Sequence, residues 1–301
     1  MSPERPVLAT IRENGSTRAV EVIEGVLKLL PYRDVAEALV AGIDSFGGEE
    51  GAEPEEIRTE DADWAPPVLR PHKIVCLGHN FKSHIQEMGR PTPSYPVLFG
   101  KFARALTGPY DPIQIPPGIT TLDWEAELAV VIGREARNVP EREARDAIAG
   151  FTIINDISVR EFQWRTPQFL QGKIFESTAP IGPVVVPGPN VDWAQALRID
   201  CRVNGEIVQD ANTSDMIFRP EFMVSYLSEI ITLDPGDIIV MGTPGGVGAG
   251  RKPPQYLISG DIVETSIEGI GTLRNECQSR QDSPAGIGQG IGTGMLAAGQ
   301  T

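Results

Sequence analysis

Residues 120–133 read TTLDWEAELAVVIG, an apolar strand pattern with two carboxylates at its entrance. Leu128, Val130, Val131 and Ile132 form an apolar run closed by Gly133, which predicts a β-strand over residues 125–132. Side chains two apart on a strand share a face, so Glu125 and Glu127 project together. Two like charges side by side cost free energy unless a cation lies between them. Residues 150–158, GFTIINDIS, repeat the anomaly, since Asp156 follows Phe151, Ile153 and Ile154 and breaks a run that reads as buried. Three carboxylates with no nearby Cys or His form the ligand set of a hard divalent cation such as Mg2+, Mn2+ or Ca2+. The same pattern also fits an edge strand carrying ordinary surface acids.

The surrounding composition narrows the class. With 41% hydrophobic and 22% charged residues over 301 positions, the chain reads as an ordinary globule able to bury a full core. Its formal charge of −15 speaks against nucleic acid and anionic membrane surfaces as partners, which both require basic patches. No apolar stretch reaches the roughly 18 residues of a membrane span. The N-terminal residues lack an apolar segment behind a basic start, so no secretory signal is expected. Cys76, Cys201 and Cys277 are far apart and lack C-x-x-C spacing, which fits reduced thiols in a cytoplasmic protein.

Outward from the opening stretch, the chain divides unevenly. Residues 5–45 suggest two short strands joined by a turn at Asn14-Gly15, then a helix over 32–41. Residues 45–65 are acidic and glycine-containing, and read as a solvated linker closing a small N-terminal domain over 1–68. A larger domain is expected over 69–277. It holds many short strands separated by Pro/Gly turns, with helical pattern confined to 81–88, 141–149 and 220–230. That spacing predicts an α+β, β-rich architecture rather than an alternating parallel α/β sheet. Residues 278–301 are rich in glycine and poor in apolar periodicity, so a disordered tail is expected.

Four further segments carry chemistry. His84 and Glu87 lie three apart in HNFKSHIQEMG, where a helix would put them on one face and let the acid orient the imidazole as a general base. A merely solvated helix face fits the same pattern. His72 and His79 have no such partner and receive no role. Arg160 and Gln163 follow Asp156 closely, and Lys173 stands in LQGKIFESTAPIGP, where a lone lysine more commonly snorkels to solvent. The glycines of MGTPGGVGAG, residues 241–250, permit a tight turn that presents the Thr243 hydroxyl and backbone amides to a small carboxylate, or a purely structural turn.

Taken in order, these stretches resemble the fumarylacetoacetate hydrolase family over roughly residues 73–276. The similarity rests on IVCLGHNFKSHIQEMG, PVLFGKF, LDWEAELAVVIG, GFTIINDISVREFQ, QGKIFESTAPIGPVV, VNGEIVQDANTSDMIF, LDPGDIIVMGTPGGVG and GDIVETSIEGIGTLRN. The resemblance implies a β-sandwich roll with peripheral helices and a small N-terminal domain, commonly as a homodimer. It implies Mg2+ or Mn2+ held by Glu125, Glu127 and Asp156. It further implies a His84–Glu87 dyad on a mobile lid, an active-site Lys173, a carboxylate contact at Gly242 and Thr243, and a pocket lined by Arg160 and Gln163. The chain departs from the family pattern at Phe81, Phe102 and Glu176, which bear on substrate choice.

The activity implied by the resemblance is metal-dependent hydrolysis of a C–C bond in a 2,4-dioxo acid, an acylpyruvate or fumarylpyruvate-like compound. His84 would activate the water and Lys173 would help neutralise the oxyanion. The alternative keeps the site but changes the reaction, to decarboxylation of oxaloacetate or to isomerisation or hydration of a 2-hydroxydienoate. A small-molecule 2-oxo acid is the expected partner in each case.

Overall fold

The strand expected at residues 125–132 runs Ala126–Ile132, and every residue in it is buried. It starts one position late because the Glu125 amide donates to the side chain of Asn155 at 2.8 Å instead of joining the ladder. Antiparallel pairing with Ile148–Asn155 on one side and Ile238–Val240 on the other makes this strand central. A strand covered on both faces needs a continuous apolar run, which explains the missing alternation. Leu128, Val130 and Ile132 enter one core, while Ala129 and Val131 enter a second.

The structure is a computed structural model that describes residues 6–42, 56–188 and 196–280. Its larger sheet has twelve strands. From one edge the order begins Glu56–Arg58, Val26–Leu29, Ser16–Ile23 and Val7–Glu13. It continues through Ala179–Pro187, Ile148–Asn155, Ala126–Ile132, Ile238–Val240 and Ile74–Gly78 to Val97–Lys101. A five-stranded sheet runs Glu206–Asn212, Arg198–Val203, Ile262–Ile267, Gly271–Ser279 and Ile113–Ile115. The two sheets enclose the first core, where Val130, Phe151 and Ile153 of one share a cluster with Ile199, Val263 and Leu273 of the other. The architecture is thus β-rich with few helices.

The N-terminal strands join at Asn14-Gly15 as expected, with φ of 50° and 76°. Positive φ at both turn positions is the hairpin geometry that Asn-Gly favours. Glu24-Gly25 makes the same turn and adds a third strand that the sequence pattern does not predict. The helix expected over 32–41 is Val35–Val40, capped by Asp34, whose carboxylate accepts from Glu37 N at 2.9 Å. Residues 43–55, which include the first part of the stretch read as linker, lie outside the described residues. Glu56–Arg58 and Asp63–Trp64 are not linker, because they pair with Val26–Leu29 and Val7–Glu13. Leu8 pairs with Val185, so the N-terminal strands extend the large sheet.

Among the later helices, Pro220–Ile230 matches the expectation, while Glu141–Ala144 ends early because residues 148–149 open the strand Ile148–Asn155. Gln278 and Ser279, expected to open the tail, instead pair with Gln114 and Ile115 in the smaller sheet. The rest of the expected tail, residues 281–301, lies outside the described residues.

Candidate active site

The antiparallel pair carrying the acids is interrupted where they sit. Main-ladder pairing ends at Ala126–Asn155, then resumes in a short ribbon where Asp123 faces Ser158. Glu125 and Asp156 occupy the gap, joined by the Asp156 amide donating to the Glu125 carbonyl at 2.8 Å. Glu127 lies one step inside the strand. Ligand oxygens of Glu125, Glu127 and Asp156 fall within 4.8 Å of one another, and all three residues are buried. Far from being acids on an edge strand, they converge in the interior.

Three cations share that interior. Lys173 Nζ donates to Glu125 Oε2 at 2.6 Å and Asp156 Oδ2 at 2.8 Å, so it does not snorkel to solvent. Lys101 Nζ stands 2.7 Å from Asp156 Oδ1 and also donates to the Lys173 carbonyl. Arg160 bridges two acids, with Nε at 2.8 Å from Asp123 Oδ2 and Nη1 at 2.7 Å from Glu125 Oε1. Its Nη1 also donates to Gln163 Oε1 at 2.8 Å. Asp123 in turn accepts from the amides of Gly248 at 2.7 Å and Ala249 at 2.9 Å, tying the glycine-rich segment to the acids.

The electrostatics are uneven. Burial would raise the Glu125 pKa, but Lys173 and Arg160 outweigh it and hold the group well below the usual carboxylate range. Glu127 is pushed well above that range by burial and by the charges of Asp156 and Glu125. Burial would lower the Lys173 pKa, yet Asp156 and Glu125 hold the ammonium above its ordinary value. Four buried carboxylates (Asp123, Glu125, Glu127, Asp156) face three buried cations (Lys101, Arg160, Lys173), which leaves one negative charge over. With every group ionised that charge falls on Glu127, whose raised pKa favours the neutral acid, and a divalent cation among the three carboxylates would favour its ionised form instead. The donor set therefore fits a divalent metal, and its oxygen-only character suits Mg2+, Mn2+ or Ca2+ alike.

The glycine segment closes one side. Gly242 has φ of +84°, and its amide donates to Glu127 Oε2. A Cβ there would stand 2.9 Å from Asn80 Cβ, so only glycine fits without strain. Gln209 is buried, accepts from Ala126 N at 2.9 Å and donates to Thr243 Oγ1 at 2.8 Å, fixing the hydroxyl relative to the acid strand. Gly246 N donates to Glu87 Oε1 at 2.9 Å, which docks the helix Lys82–Glu87 against this segment.

On that helix His84 Nδ1 lies 3.2 Å from Glu87 Oε2. Burial would raise the Glu87 pKa, but the bonds from His84 and Gly246 hold it below its ordinary value. A cavity of about 90 Å³ separates the helix from the acids, and its walls include His84, Glu125, Glu127, Arg160, Gln163, Lys173 and Thr243. Gly242, Glu87 and Asp156 stand behind that wall, each in contact with a residue that reaches it.

Lys101, Asp123 and Gln209 join the site without an expectation from the sequence. Asp123 has a signal, since D-x-E-x-E extends the E-x-E alternation by one step. The departures at Phe81, Phe102 and Glu176 do not line the cavity. Phe81 is sealed in the core, Phe102 is exposed, and Glu176 lies 3.4 Å from Arg280 at the surface.

A β-rich sandwich with acids gathered where two strands part, beneath a helix that presents an imidazole, defines a class of enzymes acting on small molecules. Residues 73–278 match the fumarylacetoacetate (FAA) hydrolase C-terminal model. The chain belongs to the fumarylacetoacetate hydrolase family. It is 44% identical over 212 residues to oxaloacetate tautomerase FAHD2A, mitochondrial, of Homo sapiens, covering 70% of this chain and 68% of that protein. Fumarylacetoacetate hydrolase from psychrophilic Exiguobacterium antarcticum superposes with a TM-score of 0.81 at 33% identity, covering 91% of this chain and 100% of that one. A 2-hydroxyhepta-2,4-diene-1,7-dioate isomerase from Mycobacterium marinum gives 0.77 at 31% identity, covering 92% and 100%.

Proposed function

We propose that this enzyme moves a proton between carbon and oxygen of a 2-oxo acid, interconverting its keto and enol forms. The observation that carries this reading is the imidazole of His84, oriented by Glu87, on the wall of the cavity that also exposes Glu125 and Glu127. The similarity to a human protein named oxaloacetate tautomerase supports the same choice. It replaces C–C hydrolysis, the activity implied by the sequence resemblance, as the first reading.

Glu125, Glu127 and Asp156 would hold the divalent cation, which when bound polarises the oxygens of a 2-oxo acid and acts as a template. Nδ1–H of His84 donates to Glu87, so Nε2 is left as the base. It takes one proton from the carbon beside the ketone, and the resulting imidazolium returns one to the oxygen, so atoms and charge balance. Glu87 stabilises the imidazolium between these transfers, a contribution of about 10²–10⁴-fold for acid–base catalysis. Lys173 holds Glu125 and Asp156 in place and supplies positive potential where oxygen charge develops. Arg160, Gln163 and Thr243 position the substrate's carboxylate.

Hydrolysis of a 2,4-dioxo acid is the second reading, favoured by the full-length likeness to fumarylacetoacetate hydrolase. In it His84 deprotonates a water that adds to the distal carbonyl, and the C–C bond breaks to give an acid and a 2-oxo acid. We further propose a homodimer in a reducing compartment; three buried free cysteines suit the compartment. The test is to give the Mg2+-loaded protein enol-oxaloacetate and acetylpyruvate separately. Faster loss of enol absorbance, by at least about 10²-fold over His84→Ala, supports tautomerisation. Acetylpyruvate cleavage without any effect on the enol overturns it in favour of hydrolysis.

A further inference from the structure

One imidazole on the cavity wall has no task in this mechanism. His79 follows the strand Ile74–Gly78 and lines the cavity together with His84, Arg90 and Phe169. Its φ of +54° places it in the left-handed region, which costs a non-glycine residue about 1–3 kcal/mol. The conformation is imposed from both sides. A Cβ on Gly78 would stand 3.0 Å from the Phe169 ring, and Asn80 is buried with its amide bonded to Met241 O at 2.7 Å. Glycine would take the same turn without strain, so the ring at position 79 is held there at a cost.

Neither ring nitrogen of His79 bonds to the protein. Nδ1 is sealed without a partner, which leaves Nε2 as the polar atom open to the cavity. Aromatic contacts fix the ring instead: it stacks on His84 at 6.1 Å and meets Phe169 edge-on at 6.0 Å. Arg90, just beyond the helix Lys82–Glu87, lines the same cavity and has no ion pair among the described residues. Burial, His84 and the nearby charge of Arg90 together hold the His79 pKa below its ordinary value. The cavity thus has one wall of metal-binding acids and, apart from it, a neutral imidazole beside an unpaired guanidinium.

We propose that His79 and Arg90 form a second anion-recognition wall that selects 2-oxo acids bearing a second carboxylate over those with only one. The inference rests on the 2-oxo acid reading above and names its substrate class. With the first carboxylate and ketone directed at the acid triad, a distal carboxylate is the group that an uncommitted guanidinium and an imidazole N–H bind best. The cavity volume of about 90 Å³ limits the chain to a short diacid.

Calorimetric titration of the Mg2+-loaded full chain with oxaloacetate, pyruvate and oxalate tests this directly. Oxalate has no distal group and reports an intact metal site. The wild type is expected to bind oxaloacetate at least about tenfold more tightly than pyruvate, the gain from one charged hydrogen bond. His79→Asn, which tolerates the left-handed turn, and Arg90→Gln should each erase most of that preference while oxalate binds as before. Equal wild-type affinities, or a preference that survives in both variants, would overturn the proposal. If His79→Asn loses oxalate too, Arg90→Gln alone decides. Failure of the tautomerase reading looks different: oxaloacetate is then preferred but its enol decays no faster.

Discussion

The Lys101 ammonium lies 2.7 Å from Asp156 Oδ1 with both side chains sealed from solvent. Removing the lysine leaves Lys173 as the remaining ammonium on Asp156, so a buried charge beside Glu125 and Glu127 is only half offset. Breaking a buried ion pair in this way costs about 3–5 kcal/mol. Lys101→Met is therefore expected to lower stability by that amount in chelator, as measured by urea denaturation. Added Mg2+ should recover part of the loss, because the cation takes over the missing positive charge. Unchanged stability in chelator would show that Lys101 does not hold Asp156.

Gly242 tests the wall behind Glu127. Its φ of +84°, and the 2.9 Å at which an added Cβ would meet Asn80 Cβ, leave no room for a side chain. Gly242→Ala should cost about 1–3 kcal/mol by thermal or chemical denaturation, since both backbone strain and a steric clash enter. The amide that donates to Glu127 would shift with it, so Mg2+ affinity should fall in parallel. A variant as stable as the wild type would mean that the segment 241–250 adapts freely.

Gly250 separates dyad geometry from folding. A Cβ at this position would stand 2.7 Å from Glu87 Cδ, the far end of a side chain that can swing away. Gly250→Ala should leave the melting temperature nearly unchanged, yet push Glu87 off His84. A displacement of about 1 Å in catalytic geometry costs up to about 10²-fold, so kcat should drop while oxalate affinity holds. Retained kcat would remove the Glu87 orientation of His84 from the mechanism.

The parts of this site that are legible in the sequence share a local signature. Glu125 and Glu127 stand out because a two-residue period puts them on one face, and Asp156 because a carboxylate interrupts an apolar run. Lys101 and Gln209 act through partners far along the chain: the Lys173 carbonyl is 72 residues from Lys101, and the Ala126 amide 83 from Gln209. No spacing rule reaches that far. The strand boundaries near Glu125 and Ser279 depart from the local pattern for a similar reason, since Asn155 decides the first and pairing with Ile115 the second. His79 has no visible role in the sequence because its neighbours there give it no partner. Its role is read from a strained backbone and from rings that meet it in space.

We propose that Glu125, Glu127 and Asp156 hold the divalent cation on which the chemistry depends. Titrating Mn2+ into metal-free protein and following free Mn2+ by electron paramagnetic resonance measures this without reference to any substrate. The wild type should bind one Mn2+ per chain, and Glu127→Gln should weaken that binding by at least about tenfold through loss of a charged ligand. Equal Mn2+ binding by the wild type and Glu127→Gln would show that Glu127 is not a ligand.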